Sequence, residues 1–389
     1  MARTKAMLGA GARLSDYLST GLLARTCPRE VVEEVLRSCG RRSQRQRDLP
    51  AHAMVYYVMA LPLYMGAAYE EVLRCVTQGM EFLGDAALGK RAVGKSGISQ
   101  ARTRLGYEVM ERLARRQIRP IAKRQTAGAW YRRWRVVTLE GSTLEVADEA
   151  ANATAFGYPG SQQGRSGYPQ VRFVGLLENG THVLFGVRMG GCRVSEMALA
   201  RQAIEALERG MLCLADRGLS SYDLWRAAAA TGAQLLWRGK KNLILPIERS
   251  FPDGSYLSTI HPGAKARRVR APGIVARVID YRLPALTDSE PCNRLLTTLL
   301  DPKSAPAEEL AALYHERQEI GNTLEKFKTH LTGAQVVLRS KTPELVKQEF
   351  YGLWLAHFAI RTLIHEAALD QGGEPMRVKM NRRIRIILK

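Results

Sequence analysis

The chain has too few cysteines, too widely scattered, for a disulfide framework or a zinc site. Six of its 389 residues are cysteine, at 27, 39, 75, 192, 213 and 292; no two form a Cys-x-x-Cys pair, and the histidines are not spaced with them as ligands. A reduced cytosol is the simplest setting for that pattern. No apolar run reaches the roughly 18 residues that a membrane-spanning helix needs. The opening stretch, MARTKAMLGAGARLSDYLSTGLLARTC, has basic and apolar character but no compact apolar core before a cleavage site, so it is not read as a signal peptide. Acidic residues are in deficit: 37 Asp and Glu stand against 58 Lys and Arg, a net charge of +21. Such an excess fits a polyanionic partner, most often nucleic acid. The alternative is a GC-rich genome whose codons favour arginine.

What is present suits two or three soluble domains, with 46% hydrophobic residues and length enough for a sizeable core. Residues 28–125 read as helical. PREVVEEVLRSCG has a proline start, helical apolar spacing and a glycine stop. AHAMVYYVMALPLYM is apolar enough for a buried helix, with Pro62 near its end or at a kink. In SGISQARTRLGYEVMERLARRQIRPIAKRQ, Ser99 is a candidate cap. Gln100, Arg102, Arg104, Arg115, Arg116, Arg119, Lys123 and Arg124 decorate the helical stretch behind it. That pattern places side chains for phosphates or a groove; a solvated basic face is the plainer alternative.

From Arg135 the texture turns to strands. RVVTLEGSTLEV is a β-like run, and PQVRFVGLLENGTHVLFGVRMG reads as a hairpin turning at Asn179-Gly180. SEMALARQAIEALERG is a helix capped by Ser195 and stopped at Gly210. MLCLADRG is a short buried strand ending in Asp216, SSYDLWRAAAATG a helix, and AQLLWRGK another strand. The order is therefore β-β-β-α-β-α-β. Residues 241–302, rich in Pro and Gly, read as a β-rich insertion. Residues 305–331 and the run from Thr342 are helical, and 371–389 form a basic tail.

One match misleads. GKRAVGKS, Gly89 to Ser96, fits the Gly-x4-Gly-Lys-Ser phosphate loop, which would make Lys95 a nucleotide-binding residue. That loop must follow a buried strand so that its amides cradle phosphates at a helix N-terminus. The stretch before it here reads as helix.

The strand order carries a different chemistry. Phosphodiester reactions on DNA commonly use two metal ions held by carboxylates, and magnesium takes oxygen ligands. An acid on the first strand, Glu140, and one ending the fourth, Asp216, supply two arms. A third is expected on the helix YHERQEIGNTLEKFKTHL, where Tyr314, Arg317, Gly321, Leu324, Glu325 and Lys328 share one face. Taken alone, Tyr314, Arg317 and Lys328 read as ordinary core or surface positions.

These segments together resemble the bacterial insertion-sequence transposases of the DDE type, in the family named for insertion sequence four, from about residue 13 to 370. TLEGSTLEVADEAANATAFGYPG resembles the segment of the first acid and LCLADRGLSSYDLW that of the second. YHERQEIGNTLEKFK resembles the Y-R-E-K signature: Tyr, two residues, Arg, three residues, Glu, six residues, Lys. Tyr314, Arg317 and Lys328 match it, and Asp216 matches the second acid. Three positions depart: Glu140 stands for the usual first Asp, Gln318 for a Trp, and Gly321 for the third acid.

The resemblance implies an α/β protein: an RNase H-like mixed-sheet catalytic core with a β-rich insertion, preceded by an all-α N-terminal domain. It divides the chain into 1–125 for DNA binding, 126–240 and 303–370 for the core, 241–302 for the insertion and 371–389 for the tail. It also implies Mg2+ (or Mn2+) at the acids and double-stranded DNA partners, both terminal inverted repeats and target DNA. A homodimer in a synaptic complex and a cytoplasmic, nucleoid-associated setting follow. The implied reaction is strand nicking at an element end, then attack by the freed 3′ hydroxyl on target DNA. With Gly321 lacking a carboxylate, impaired catalysis is expected, with Glu325 one turn on as the alternative metal ligand. A catalytically dead DNA-binding remnant or repressor is the competing expectation.

Overall fold

The computed structural model describes residues 14–43, 49–64, 67–84, 93–161, 164–165, 167–240, 243–269, 271–282, 293–316, 337–370 and 387–388. The N-terminal part is helical: α1 (Leu14–Thr26), α2 (Arg29–Ser38), α3 (Ala51–Ala60), α4 (Tyr69–Phe82), α5 (Lys95–Leu105) and α6 (Tyr107–Gln117). Pro28 and Pro50, with φ near the value their rings impose, stand just before the first turns of α2 and α3. Gly40, at φ 65°, ends α2 in the left-handed region that glycine enters freely. Every residue of α3 from His52 to Ala60 is buried, as expected of a helix apolar on all sides. Pro62 falls in the 3-10 turn Leu61–Tyr64 that follows it.

Two local expectations are corrected here. Ser99 is not a cap, because α5 already starts at Lys95 after Gly94. Arg119, Lys123 and Arg124 are not on a helix, because α6 stops at Gln117, just ahead of Pro120. The phosphate-loop match finds no support either: the described element before α5 is the helix α4, not a strand, and residues 85–92 lie outside the described residues.

The chain then alternates: β1 (Trp134–Val146), α7 (Ala150–Phe156), β2 (Gln170–Glu178), β3 (Leu184–Gly191), α8 (Glu196–Ala203), β4 (Met211–Ala215), α9 (Tyr222–Ala230), β5 (Gln234–Arg238), β6 (Tyr256–Ile260), α10 (Ala264–Arg268), β7 (Ile274–Arg282), β8 (Asn293–Thr297), α11 (residues 307–316) and α12 (Pro343–Asp370). Ser195 and Ser221 cap α8 and α9, each hydroxyl accepting a backbone N–H three residues on. The main strands form one sheet in the order β3-β2-β1-β4-β5-β8-β7-β6. β1 pairs with β4, and β4 with β5, in parallel; the other pairings along that path are antiparallel. An antiparallel hairpin followed by parallel crossovers is the RNase H-like core, and β6 to β8 prolong its sheet.

The β2–β3 hairpin forms, but its left-handed residue is His182, at φ 60°, rather than Asn179 or Gly180. His182 N–H donates to the Glu178 carbonyl at 2.8 Å, so the turn is longer than two residues. The long helix α12 holds this turn. Arg361 Nε donates to the Thr181 carbonyl at 2.7 Å, and Trp354 Nε1 to the Leu184 carbonyl at 2.6 Å. On its N-terminal side α12 crosses α3 at Gly352, where a Cβ would stand 2.5 Å from the Val58 carbonyl oxygen. A side chain at 352 would force the two helices apart. No helix among the described residues is long and apolar enough to cross a membrane.

Side chains alternate across the sheet, so each strand feeds two layers. Trp134 and Val136 of β1 pack with Leu212, Leu214 and Leu236 against Leu310, Ala311 and Tyr314 of α11. Val137 and Leu139, with Cys213, Ala215 and Trp237, face the other layer. The prolonged sheet anchors α11 at its start. Arg277, wholly buried on β7, donates to Ser255 Oγ at 2.7 Å and the Ala305 carbonyl at 2.6 Å and pairs with Asp253. Asp253 in turn accepts the Ala307 N–H at 3.1 Å.

Candidate active site

The two acids are placed by strand register. Leu139 of β1 is paired with Ala215 of β4. Glu140, still on β1, and Asp216, the residue just past the end of β4, come next along these neighbouring parallel strands, whose backbones run about 4.8 Å apart. Counting by two from Val136 and from Leu214 puts both acids on the layer that α11 covers. Glu140 is partly buried; Asp216, where the chain leaves β4 for a short 3-10 turn, keeps 49% of its side chain exposed.

Tyr314 ties α11 to this point. It is wholly buried, and its hydroxyl lies 3.2 Å from the Ala215 carbonyl oxygen and 3.3 Å from Asp216 Oδ1, one donor shared by two acceptors. The tyrosine therefore sets where the helix meets the end of β4. Arg317, Gln318, Gly321, Glu325 and Lys328 lie outside the described residues.

A residue not singled out from the sequence also reaches the acid. Arg238 Nη1, at the end of β5, is 3.9 Å from Asp216 Oδ1, while its Nη2 donates to Asn293 Oδ1 at 2.9 Å. The signal was available: Arg238 follows Leu236 by two residues, so it shares the face of Leu214 and Asp216. Glu196, by contrast, leans over Gly141, with Oε1 2.3 Å from where a Cβ at 141 would be. Alternation puts Gly141 on the opposite face from Glu140, so Glu196 is no third arm.

The residues expected to contact DNA separate into three groups. Arg102 is buried: its guanidinium donates to Gln348 Oε1 at 2.9 Å, Ser340 Oγ at 3.0 Å and the Leu345 carbonyl at 3.1 Å. It joins α5 to α12 and does not face DNA, which corrects its assignment. Gln100 and Arg104 are exposed on α5, and Arg115 and Arg116 on α6, where they pair with Glu111 and Glu34. Arg119, Lys123 and Arg124 are exposed on the connector after α6. Arg104 also lines a cleft of about 230 Å³ with Arg41, Arg42 and Ser43, arginines that no sequence pattern singles out.

The donor set can be weighed against a divalent cation. Two carboxylates side by side are hard oxygen donors of the kind magnesium takes. Among the described residues, however, no group of three or more His, Cys, Asp or Glu could hold a metal ion, and a glycine at 321 brings no side-chain carboxylate. The segment expected to bring a third ligand, with Gly321 and Glu325, lies outside the described residues.

Comparison with known proteins agrees with the order of these elements. The chain matches the insertion element 4 transposase N-terminal family over residues 18–115 and the transposase DDE domain over residues 134–359. Transposase InsG for insertion sequence element IS4 of Escherichia coli K12 is 28% identical over 359 residues, covering 90% of this chain and 75% of that protein. The putative transposase InsZ of the same organism is 23% identical over 221 residues, covering 56% of this chain and 71% of that one. A solved piggyBac transposase synaptic complex with hairpin DNA aligns with 96% of this chain and 71% of its own at 10% identity and a TM-score of 0.44, a likeness too loose to speak to chemistry.

Proposed function

The chain belongs to the DDE transposases of the insertion element 4 family, and from that premise we propose that it binds element ends as double-stranded DNA while its own nicking and strand-transfer chemistry is impaired. DDE transposase domains generally use divalent metal ions. Glu140 and Asp216 are the residues of this chain that would hold one, Mg2+ or Mn2+. Tyr314 positions the second of them, and Arg317 and Lys328 complete the basic side of the signature. The observation that carries the reading is the register that sets Glu140 beside Asp216, with the Tyr314 hydroxyl on the Asp216 carboxylate.

The impairment rests on two residues. Glu140 reaches about one methylene further than the family's Asp, and displacement on that scale costs on the order of a hundredfold in rate. Gly321 offers no carboxylate where the family places its third. Residues 1–125 form the DNA-binding part of this reading, 126–240 and 303–370 the core, 241–302 the insertion and 371–389 the tail. The protein acts in the cytoplasm on nucleoid DNA, as a homodimer when two ends are held together.

DNA binding is tested by a mobility-shift titration on a duplex carrying the element's end. The logarithm of affinity should fall linearly with the logarithm of salt concentration, steeply, because several phosphates are neutralised. Asp216→Asn should leave it unchanged. No binding at low salt, or binding indifferent to salt, would overturn the reading.

A further inference from the structure

We infer that the tight hairpin Trp130–Arg135, with the connector residues Lys123 and Arg124 beside it, is a second contact surface for the phosphate backbone of duplex DNA, separate from α5 and α6 and from the acid pair. The inference rests on the proposed DNA binding and adds where a further part of the duplex is held.

The hairpin is short and rigid. Trp130 pairs with Arg135 and Tyr131 with Trp134 across a turn made by Arg132 and Arg133, with Arg132 at φ 53°. Tyr131 and Trp134 stack at 6.1 Å and are buried beneath it. Glu309 of α11 clamps the underside, accepting from the Tyr131 hydroxyl at 2.8 Å and from Arg132 Nη2 at 3.0 Å. These groups fix the frame.

What the frame presents is cationic and aromatic. Arg124 lies over the Trp130 ring at 4.1 Å and Arg135 over the same ring at 4.6 Å; Arg133 lies over Trp134 at 4.8 Å. Trp130 Nε1 donates to the Lys123 carbonyl at 2.7 Å, which locks the connector to the hairpin. Two of these arginines are already neutralised, Arg132 by Glu309 and Arg135 by Glu178. Lys123, Arg124 and Arg133 are exposed, and no carboxylate among the described residues pairs with them. Guanidinium groups held over indoles lose less freedom when they bind, and their fork of donors matches phosphate oxygens. A basic patch interleaved with aromatics, in a chain of net charge +21, is the footprint of nucleic acid rather than of an acidic peptide.

The place matters too. Arg133 precedes Glu140 by seven residues, which along an extended strand is roughly 23 Å. That spans about seven base-pair steps of B-form duplex at 3.4 Å each. The hairpin is thus too far away to touch the strand position at the acids, and it grips a different stretch of backbone.

The test uses the full-length protein, a 40-base-pair duplex carrying the element's end and a random-sequence duplex of equal length. The triple variant Lys123→Gln, Arg124→Gln, Arg133→Gln should weaken binding to both duplexes alike, because phosphate contacts carry no sequence information. The slope of log affinity against log salt should fall by about 0.9 for each phosphate no longer neutralised. Arg133→Gln alone, at an exposed turn position outside the core, should lower the slope by about one such step, and it guards against a triple variant that fails to fold. If the parent binds and both variants keep its affinity and slope, the hairpin is not a contact surface, although the proposed DNA binding stands. If the parent binds neither duplex, both conclusions fall.

Discussion

Glu178 and Asp216 are carboxylates of one sheet, held in opposite ways. Glu178, at the end of β2, is wholly buried. It accepts the backbone N–H groups of Ile121 and Ala122, each at 3.0 Å, and the Thr181 hydroxyl, and it pairs with Arg135. Asp216, just past β4, is half exposed; it shares one hydroxyl donor with a carbonyl, and Arg238 stands at 3.9 Å. An ionised carboxylate offers about four lone-pair sites. In Glu178 they are filled by the protein, and the group joins the connector after α6 to the sheet. Asp216, at the end of a parallel strand, has only Tyr314 and Arg238 against its carboxylate among the described residues. How far the protein satisfies a carboxylate separates the structural acid from the one available for chemistry, where charge and residue type do not.

Breaking each side of that comparison should give unequal effects. Glu178→Ala should cost the most stability, about 3–5 kcal/mol, because it leaves the part-buried Arg135 and two backbone donors without their acceptor. Denaturant unfolding would show it as a large fall in midpoint. Arg102→Ala should follow at about 2–3 kcal/mol, because Gln348 and Ser340 lose a charged donor in a buried setting.

A third effect is absent near neutrality and builds only as pH falls. Burial pushes the His357 imidazole down to about 3 from the ordinary 6.5. Below pH 6.5 the unfolded chain binds a proton there that the folded chain refuses. This histidine's share of stability is therefore intact above 6.5 and erodes as pH falls toward 3, by at most about 1.4 kcal/mol per pH unit. His357→Gln should flatten the unfolding-versus-pH curve over that window by the corresponding amount. Smallest of all, Asp216→Asn should change stability by less than about 1 kcal/mol, because its carboxylate is half exposed and carries little of the fold. A loss as large as that of Glu178→Ala would erase the distinction between the two acids.

Much of this is legible in the sequence. Alternation in VVTLEGSTLEV and LCLAD fixes which layer each acid faces, and the segment order leads to the hairpin and parallel crossovers. Arg102 escapes a sequence reading because nothing local marks it: its partners lie more than 230 residues further on, and an arginine on an amphipathic helix looks solvated until α12 is laid against it. Extending the helix through Arg124 overlooks a signal that is present, since Pro120 bars the residue before it from the helical region. Arg238 is legible by counting from Leu236 but draws no attention beside a nearby acid motif. The expected cap at Ser99 gives way to a helix that simply starts four residues earlier.

The most direct test is a nicking assay with the element's own end as duplex DNA and magnesium as the only divalent cation, comparing the unmodified protein with Gly321→Glu. The unmodified protein should bind the duplex and nick it poorly or not at all, while Gly321→Glu, which supplies the third carboxylate, nicks it, and more strongly with Glu140→Asp added. Robust cleavage by the unmodified protein, abolished by Glu325→Gln, would contradict this reading and make Glu325 the third ligand.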